Sequence, residues 1–264
     1  MKKLDHLYVA VCIPSMGTWR SETARSVALM FGHAACHNYG SKSQRVGIIT
    51  AEGSMLSQMR ENLVKKAMVT KATHIMFIDA DMEFPANTLQ SLVAARKPYV
   101  AANCTTRVEP VMPVAHDLDG NRLSSKGKTG IQQVQHVGLA VSLIEREVFE
   151  RIRPPCFLMD WIPAMKGYCG EDVYFASKIR ELGYDVWVDH DISQAIRHVG
   201  SRSYGYSDLK EWEDGQVADG KRKEAPRGKD GQDGQEVGHG GDEEEAGGQK
   251  GQGQEVPSLV RRIA

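Results

Sequence analysis

The run HIMFIDADMEF, from His74 to Phe84, decides how this chain is read. Behind His74, the residues Ile75 to Ile78 are continuously apolar, the pattern of a short strand buried on both faces. The strand runs into Asp79, with Asp81 two positions on, past Ala80. In open parallel sheets, ligands gather outside the carboxyl ends of the strands. Two carboxylates two positions apart can both face a hard cation there while Ala80 points away. Mg2+ or Mn2+ held by one or two carboxylates, and otherwise by phosphate oxygens and water, is the arrangement a nucleoside diphosphate needs. Exposed turn carboxylates would read the same way, but an Asp at the end of a buried strand costs stability unless it has a partner.

Working outward, strand and helix patterns alternate. Leu7–Ile13 is a strand stopped by Pro14, Thr18–His33 a helix, Arg45–Thr50 a strand and Ser57–Thr70 a helix. After His74–Ile78 come a helix over Pro85–Arg96, begun by its proline, and a strand at Tyr99–Asn103. This succession predicts an α/β fold: a Rossmann-like sandwich with a mostly parallel central sheet and helices on both faces. Gln133–Ile144 reads as a strand, Arg146–Ile152 and Asp172–Leu182 as helices, and Asp185–Val188 as a strand.

The second informative stretch runs from Gly167 to Gly200. Glu171 and Asp172 stand just before a helix, where one carboxylate is a good cap. Two adjacent acids exceed what capping needs, and one could take the proton from an attacking hydroxyl. Downstream lies His198, a structural imidazole or a late metal ligand.

Composition narrows the classes. The chain has 264 residues, 41% hydrophobic and 25% charged, which suits a globular protein. Residues 1–210 carry 25 Lys and Arg against 21 Asp and Glu, too slight an excess to argue for nucleic acid. Residues 1–212 form one expected domain. From 213 to 264 the chain is Gly, Gln and acidic residues with little to bury, so a disordered tail is expected. The five cysteines form no CxxC and read as reduced thiols. No apolar stretch approaches the roughly 20 residues of a membrane span, and a cytoplasmic protein is expected.

Four pieces together resemble the GT-A glycosyltransferases, particularly family-2-like enzymes and their short phage and bacterial relatives. They are IDAD (Ile78 to Asp81), HVGLAVSLIEREVFERI (His136 to Ile152), GEDVYFASKIRELGYDVWVD (Gly170 to Asp189) and RHVG (Arg197 to Gly200). The resemblance implies a nucleotide-diphosphate sugar as donor and a Mn2+ or Mg2+ ion held by Asp79, Asp81 and His198. It implies Asp172 as catalytic base, with Glu171 beside it binding acceptor or donor. Pro14 and Ser15 would border the nucleotide pocket, Arg60 and Asn62 would contact the nucleotide or its phosphates, and Gly138 would line the sugar or acceptor pocket. The acceptor is a hydroxyl on a glycan or another molecule, a hydroxylated DNA base among them. The second strand ends Thr50-Ala51-Glu52, without the Asp that commonly reads uracil in family-2 enzymes, which leaves the donor base open. Two other classes remain. A nucleotidyltransferase would carry a Gly-rich basic loop after the first strand, where this chain has PSMGTWRSE (Pro14 to Glu22). A non-catalytic sugar-nucleotide or glycan-binding module would have no need of a base.

Overall fold

The computed structural model describes residues 4–162 and 166–209; the tail expected over 213–264 lies outside the described residues. Along the chain come β1 (Leu4–Ser15), α1 (Ser21–Cys36), β2 (Ser41–Glu52), α2 (Leu56–Val69), β3 (His74–Ile78), β4 (Met82–Glu83), α3 (Thr88–Ala95) and β5 (Tyr99–Ala102). Then follow β6 (Ile131–Val134), β7 (Val141–Glu145), α4 (Arg146–Arg151), β8 (Asp160–Ile162), β9 (Gly167–Cys169) and α5 (Glu171–Glu181). β10 (Val186–Asp189), α6 (His190–Ser193), β11 (Arg197–Val199), β12 (Ser203–Tyr204) and a 3-10 turn at Tyr206–Asp208 complete the described residues.

Seven strands form one sheet in the order β2-β1-β3-β7-β5-β10-β6. β1, β2, β3, β5 and β10 share a direction, and β7 and β6 run against them. The fold is therefore α/β around a mixed central sheet. β3 is buried at all five positions, and its side chains alternate between two cores. Ile75 and Phe77 pack with α2, α4 and α5 on one face; Met76 and Ile78 pack with α1, α3 and α6 on the other.

Two expected elements are corrected. The pattern over Gln133–Ile144 suggests one strand, but the structure divides it between distant places in the sheet. The polar alternation of IQQV suits β6 to the edge, beside β10 alone, whereas the buried VSLI of β7 fills the centre between β3 and β5. The helix expected from Pro85 begins at Thr88, because the Thr88 N–H and hydroxyl both bond the Pro85 carbonyl, at 3.1 and 2.7 Å, in a turn.

Two connections position the site. A separate three-stranded sheet, β12-β11-β4, pairs His198 with Met82 and so lays RHVG beside the residues that follow β3. α5 ends where Gly183, at φ +86°, donates to the Arg180 carbonyl and Tyr184 donates to that of Ile179, which turns the chain into β10. Among the described residues no helix is long and apolar enough to cross a membrane. All five cysteines are free thiols, and only Cys36 is exposed.

Candidate functional site

Asp79 and Asp81 sit on a loop that is tied down on three sides. The Asp79 N–H bonds the Ala140 carbonyl at 2.9 Å. The Ala80 carbonyl accepts from the Arg20 N–H at 2.9 Å and the Thr23 hydroxyl at 3.0 Å, which anchors the start of α1. The Asp81 carbonyl accepts from the Val199 N–H at 2.7 Å. With its backbone so occupied, the loop presents its two carboxylates at the carboxyl end of the sheet. They line a cleft of about 460 Å³ with Pro14, Ser15, Arg20, Met59, Arg107 and His198.

His198 lies 117 residues from Asp81 in sequence, yet its Nε2 is 3.2 Å from Asp81 Oδ2. Its Nδ1 is 2.9 Å from the Thr105 carbonyl, so both ring nitrogens face acceptors and the ring's orientation is fixed. Arg107 Nη1 ion-pairs with the same Asp81 oxygen. Burial works to raise the Asp81 carboxyl, but the hydrogen bond and charge of His198, with the charge of Arg107, outweigh it and hold the group below its ordinary value. Burial works to lower His198, and the hydrogen bond and charge of Asp81, with the Thr105 carbonyl, hold it above the usual histidine range instead. A depressed acid stabilises the fold above its ordinary pKa of about 3.9 and loses that contribution as the pH falls. A raised imidazole stabilises below about 6.5 and loses its contribution as the pH rises through the shifted value. The pair is strongest between those limits.

A second charged group lies behind the cleft. Arg60 projects from α2 with a side chain only 2% exposed. Its Nη2 donates to Asp79 Oδ1 at 2.7 Å, its Nε is 3.7 Å from Glu171 Oε1, and its guanidinium lies 5.5 Å from the centre of the Phe77 ring. Nε and Nη1 have no hydrogen-bond partner. One cation thus serves three acids, Asp79, Glu171 and Asp172. Burial raises the Glu171 carboxyl; Arg60 opposes the rise and the neighbouring carboxylates add to it. Burial likewise raises Asp172, against the Val173 N–H and Arg60.

Asp172 is held between two glycines. Its Oδ1 accepts from the Val173 N–H at 2.8 Å, and a Cβ on Gly170 would meet that oxygen at 2.5 Å. A Cβ on Gly138 would lie 3.8 Å from Oδ2. Gly138 therefore stands beside Asp172, with Val114 Cγ2 closer still at 3.3 Å from that position.

The structure brings Pro14, Ser15, Asp79, Asp81 and His198 into one cleft and joins Arg60, Glu171 and Asp172 behind it. Three expectations are corrected. Asp79 is engaged by Arg60, so the expected three-ligand set resolves into an Asp81–His198 pair and a separate Asp79–Arg60 pair. Among the described residues no three His, Cys, Asp or Glu side chains are grouped to hold a metal. Neither Glu171 nor Asp172 lines the cleft. Asn62 is exposed, because two residues along a helix is a turn of about 200° away from Arg60. Arg107 escaped the sequence reading: it lies between strands in TTRVEP, and its single positive charge was the only available signal.

The donor set fits a divalent cation at two points, one carboxylate and one imidazole whose other nitrogen is hydrogen-bonded. No protein-family model matches the chain, and no curated protein matches it. Among solved structures, A197 from STIV is similar at 17% identity and a TM-score of 0.52, over 76% of this chain and 91% of that one. At that identity the likeness concerns the α/β fold.

Two outcomes are expected. In an NMR titration His198 ionises above the ordinary histidine value, and Asp81→Asn brings it down, since burial then acts with less opposition; an unmoved value would contradict the pairing. Arg60→Met leaves three carboxylates without their cation and destabilises the fold by about 3–5 kcal/mol at pH 7 in urea melts. The deficit shrinks on mild acidification, as Glu171 and Asp172 take up protons.

Proposed function

We propose that this chain is a metal-dependent glycosyltransferase of the GT-A kind, moving a sugar from a nucleotide-diphosphate sugar to an acceptor hydroxyl. The observation that carries the proposal is the Asp81–His198 contact, made across 117 residues at the mouth of a cleft bordered by Pro14, Ser15 and Asp79. A chance pair of turn carboxylates has no reason to meet a distant imidazole whose other nitrogen is already fixed.

Asp81 and His198 would hold a Mn2+ or Mg2+ ion, which supplies positive charge against that building on the departing diphosphate. Pro14 and Ser15 border the side where the nucleotide lies. Arg60 keeps Asp79 aligned beside the cation pair. Asp172 takes the proton from the acceptor hydroxyl, for which burial gives its carboxyl a raised proton affinity. Val173 occupies Oδ1, so Oδ2 is the accepting oxygen, and Gly138 leaves room beside it. The acceptor oxygen bonds to the anomeric carbon as that carbon's bond to the diphosphate oxygen breaks, with inversion when attack comes from the opposite face.

One observation favours a second reading. Glu171 and Asp172 lie outside the cleft lining, which suits a sugar-nucleotide-binding module that performs no transfer.

Calorimetry with a panel of nucleoside-diphosphate sugars, with and without Mn2+, separates the two. Donor binding is expected to need the metal and to weaken at least about tenfold in Asp81→Asn. Asp172→Asn is expected to bind donor normally and to lose transfer by about 10²–10⁴-fold. Metal-independent binding in the wild type would remove the role of Asp81. Donor binding with no release of free nucleoside diphosphate, across all acceptors, would favour the module.

A further inference from the structure

Arg107 and His198 reach the same atom, Oδ2 of Asp81. The two cations differ in freedom. The His198 ring is fixed through Nδ1 and stands in a paired strand, whereas the Arg107 side chain is 51% exposed at the wall of the cleft. The backbone beneath Arg107 is held: the Thr106 N–H bonds the Met112 carbonyl at 2.8 Å, and the Met112 N–H returns to the Thr106 hydroxyl at 3.0 Å. The stem of Arg107 lies over Gly200, where a Cβ would come within 3.5 Å of its own. The base is anchored, and the exposed arm is held by the Asp81 contact.

A divalent cation held by Asp81 and His198 would stand close to the guanidinium on the same carboxylate, and like charges at that range oppose each other. Loading the metal would therefore favour release of Arg107. A guanidinium displaced from one carboxylate at a cleft wall is well suited to a second anion in the same cleft, because its planar fork accommodates phosphate oxygens in pairs.

We infer that Arg107 stands in for the divalent cation on Asp81 while the cleft holds no donor, and moves to the donor's diphosphate when metal and donor enter together. The inference rests on the reading of Asp81 and His198 as the cation's holders. It assigns Arg107 two successive partners and makes metal and diphosphate binding mutually dependent: metal alone must displace an ion pair, and diphosphate alone lacks the freed arginine.

The test measures Mn2+ binding by electron paramagnetic resonance, with Mn2+ alone and with Mn2+ plus inorganic pyrophosphate as the diphosphate probe. Wild type, Arg107→Ala, Arg107→Lys and Asp81→Asn are compared. Arg107→Ala is expected to bind Mn2+ alone about two- to fivefold more tightly, the scale of removing one part-exposed ion pair. The same variant should bind pyrophosphate in saturating Mn2+ about ten- to a hundredfold more weakly, the scale of losing a charged hydrogen-bond donor. Arg107→Lys should fall between in both. These opposite signs distinguish the exchange from a structural role, which would weaken both or neither. Mn2+ binding that Asp81→Asn abolishes but Arg107→Ala leaves unchanged or weakens overturns the exchange alone. Mn2+ binding absent from wild type and Arg107→Ala alike overturns both the metal reading and the exchange.

Discussion

A single guanidinium buried behind the sheet end is the constraint on which the rest of this architecture depends. Arg60 has left water almost completely, and charges removed from water must be matched at close range. Its partners come from two elements besides its own helix: Asp79 and the Phe77 ring from β3 and its end, and Glu171 from the start of α5. Helix, strand and helix are therefore locked in register by electrostatics rather than by shape alone. The match is incomplete. One cation faces three acids, and two of its nitrogens lack hydrogen-bond partners. Burial raises the Glu171 and Asp172 carboxyls, and the surplus negative charge works in the same direction.

The cleft in front repeats this imbalance with opposite emphasis. There one carboxylate, Asp81, faces two cations. The front group is part-exposed; in the rear group Arg60 is sealed, while Asp79 opens on the cleft. The Asp81 contacts are separate from the Arg60 contacts that join α2 to α5.

How much of this the sequence disclosed follows from which signals are local. HIMFI is five buried residues in a row, and such a run has few ways to exist other than as a central strand, so the position of Asp79 and Asp81 at its end was legible. So was the α/β alternation up to Tyr99. The likeness of GED and RHVG to a known family pointed to Asp172 and His198, and the geometry brings His198 to Asp81. What was hidden is long-range. Nothing within Gln133–Ile144 marks the break that sends one half to the sheet edge and the other to its centre, because that choice belongs to β10, β3 and β5. Arg107 sits in an irregular segment with no period to read. Asn62 shows the reverse error, since adjacency to Arg60 in sequence is opposition on a helix. Phe157 and Trp161, close together in sequence, part company as well: Phe157 joins Phe77, Phe149 and Phe175 in the core, while Trp161, in β8, stays at the surface against Tyr168.

The small sheet that carries His198 has a consequence for the order in which this molecule is made. Every strand of the seven-stranded sheet has been synthesised by Asp189, whereas the imidazole arrives with β11, at Arg197–Val199. A nascent chain emerging from the ribosome can thus complete its main scaffold, with Arg60 already among its acids, before Asp81 has its imidazole. The imidazole reaches Asp81 after the main sheet, on a short ribbon that docks against it.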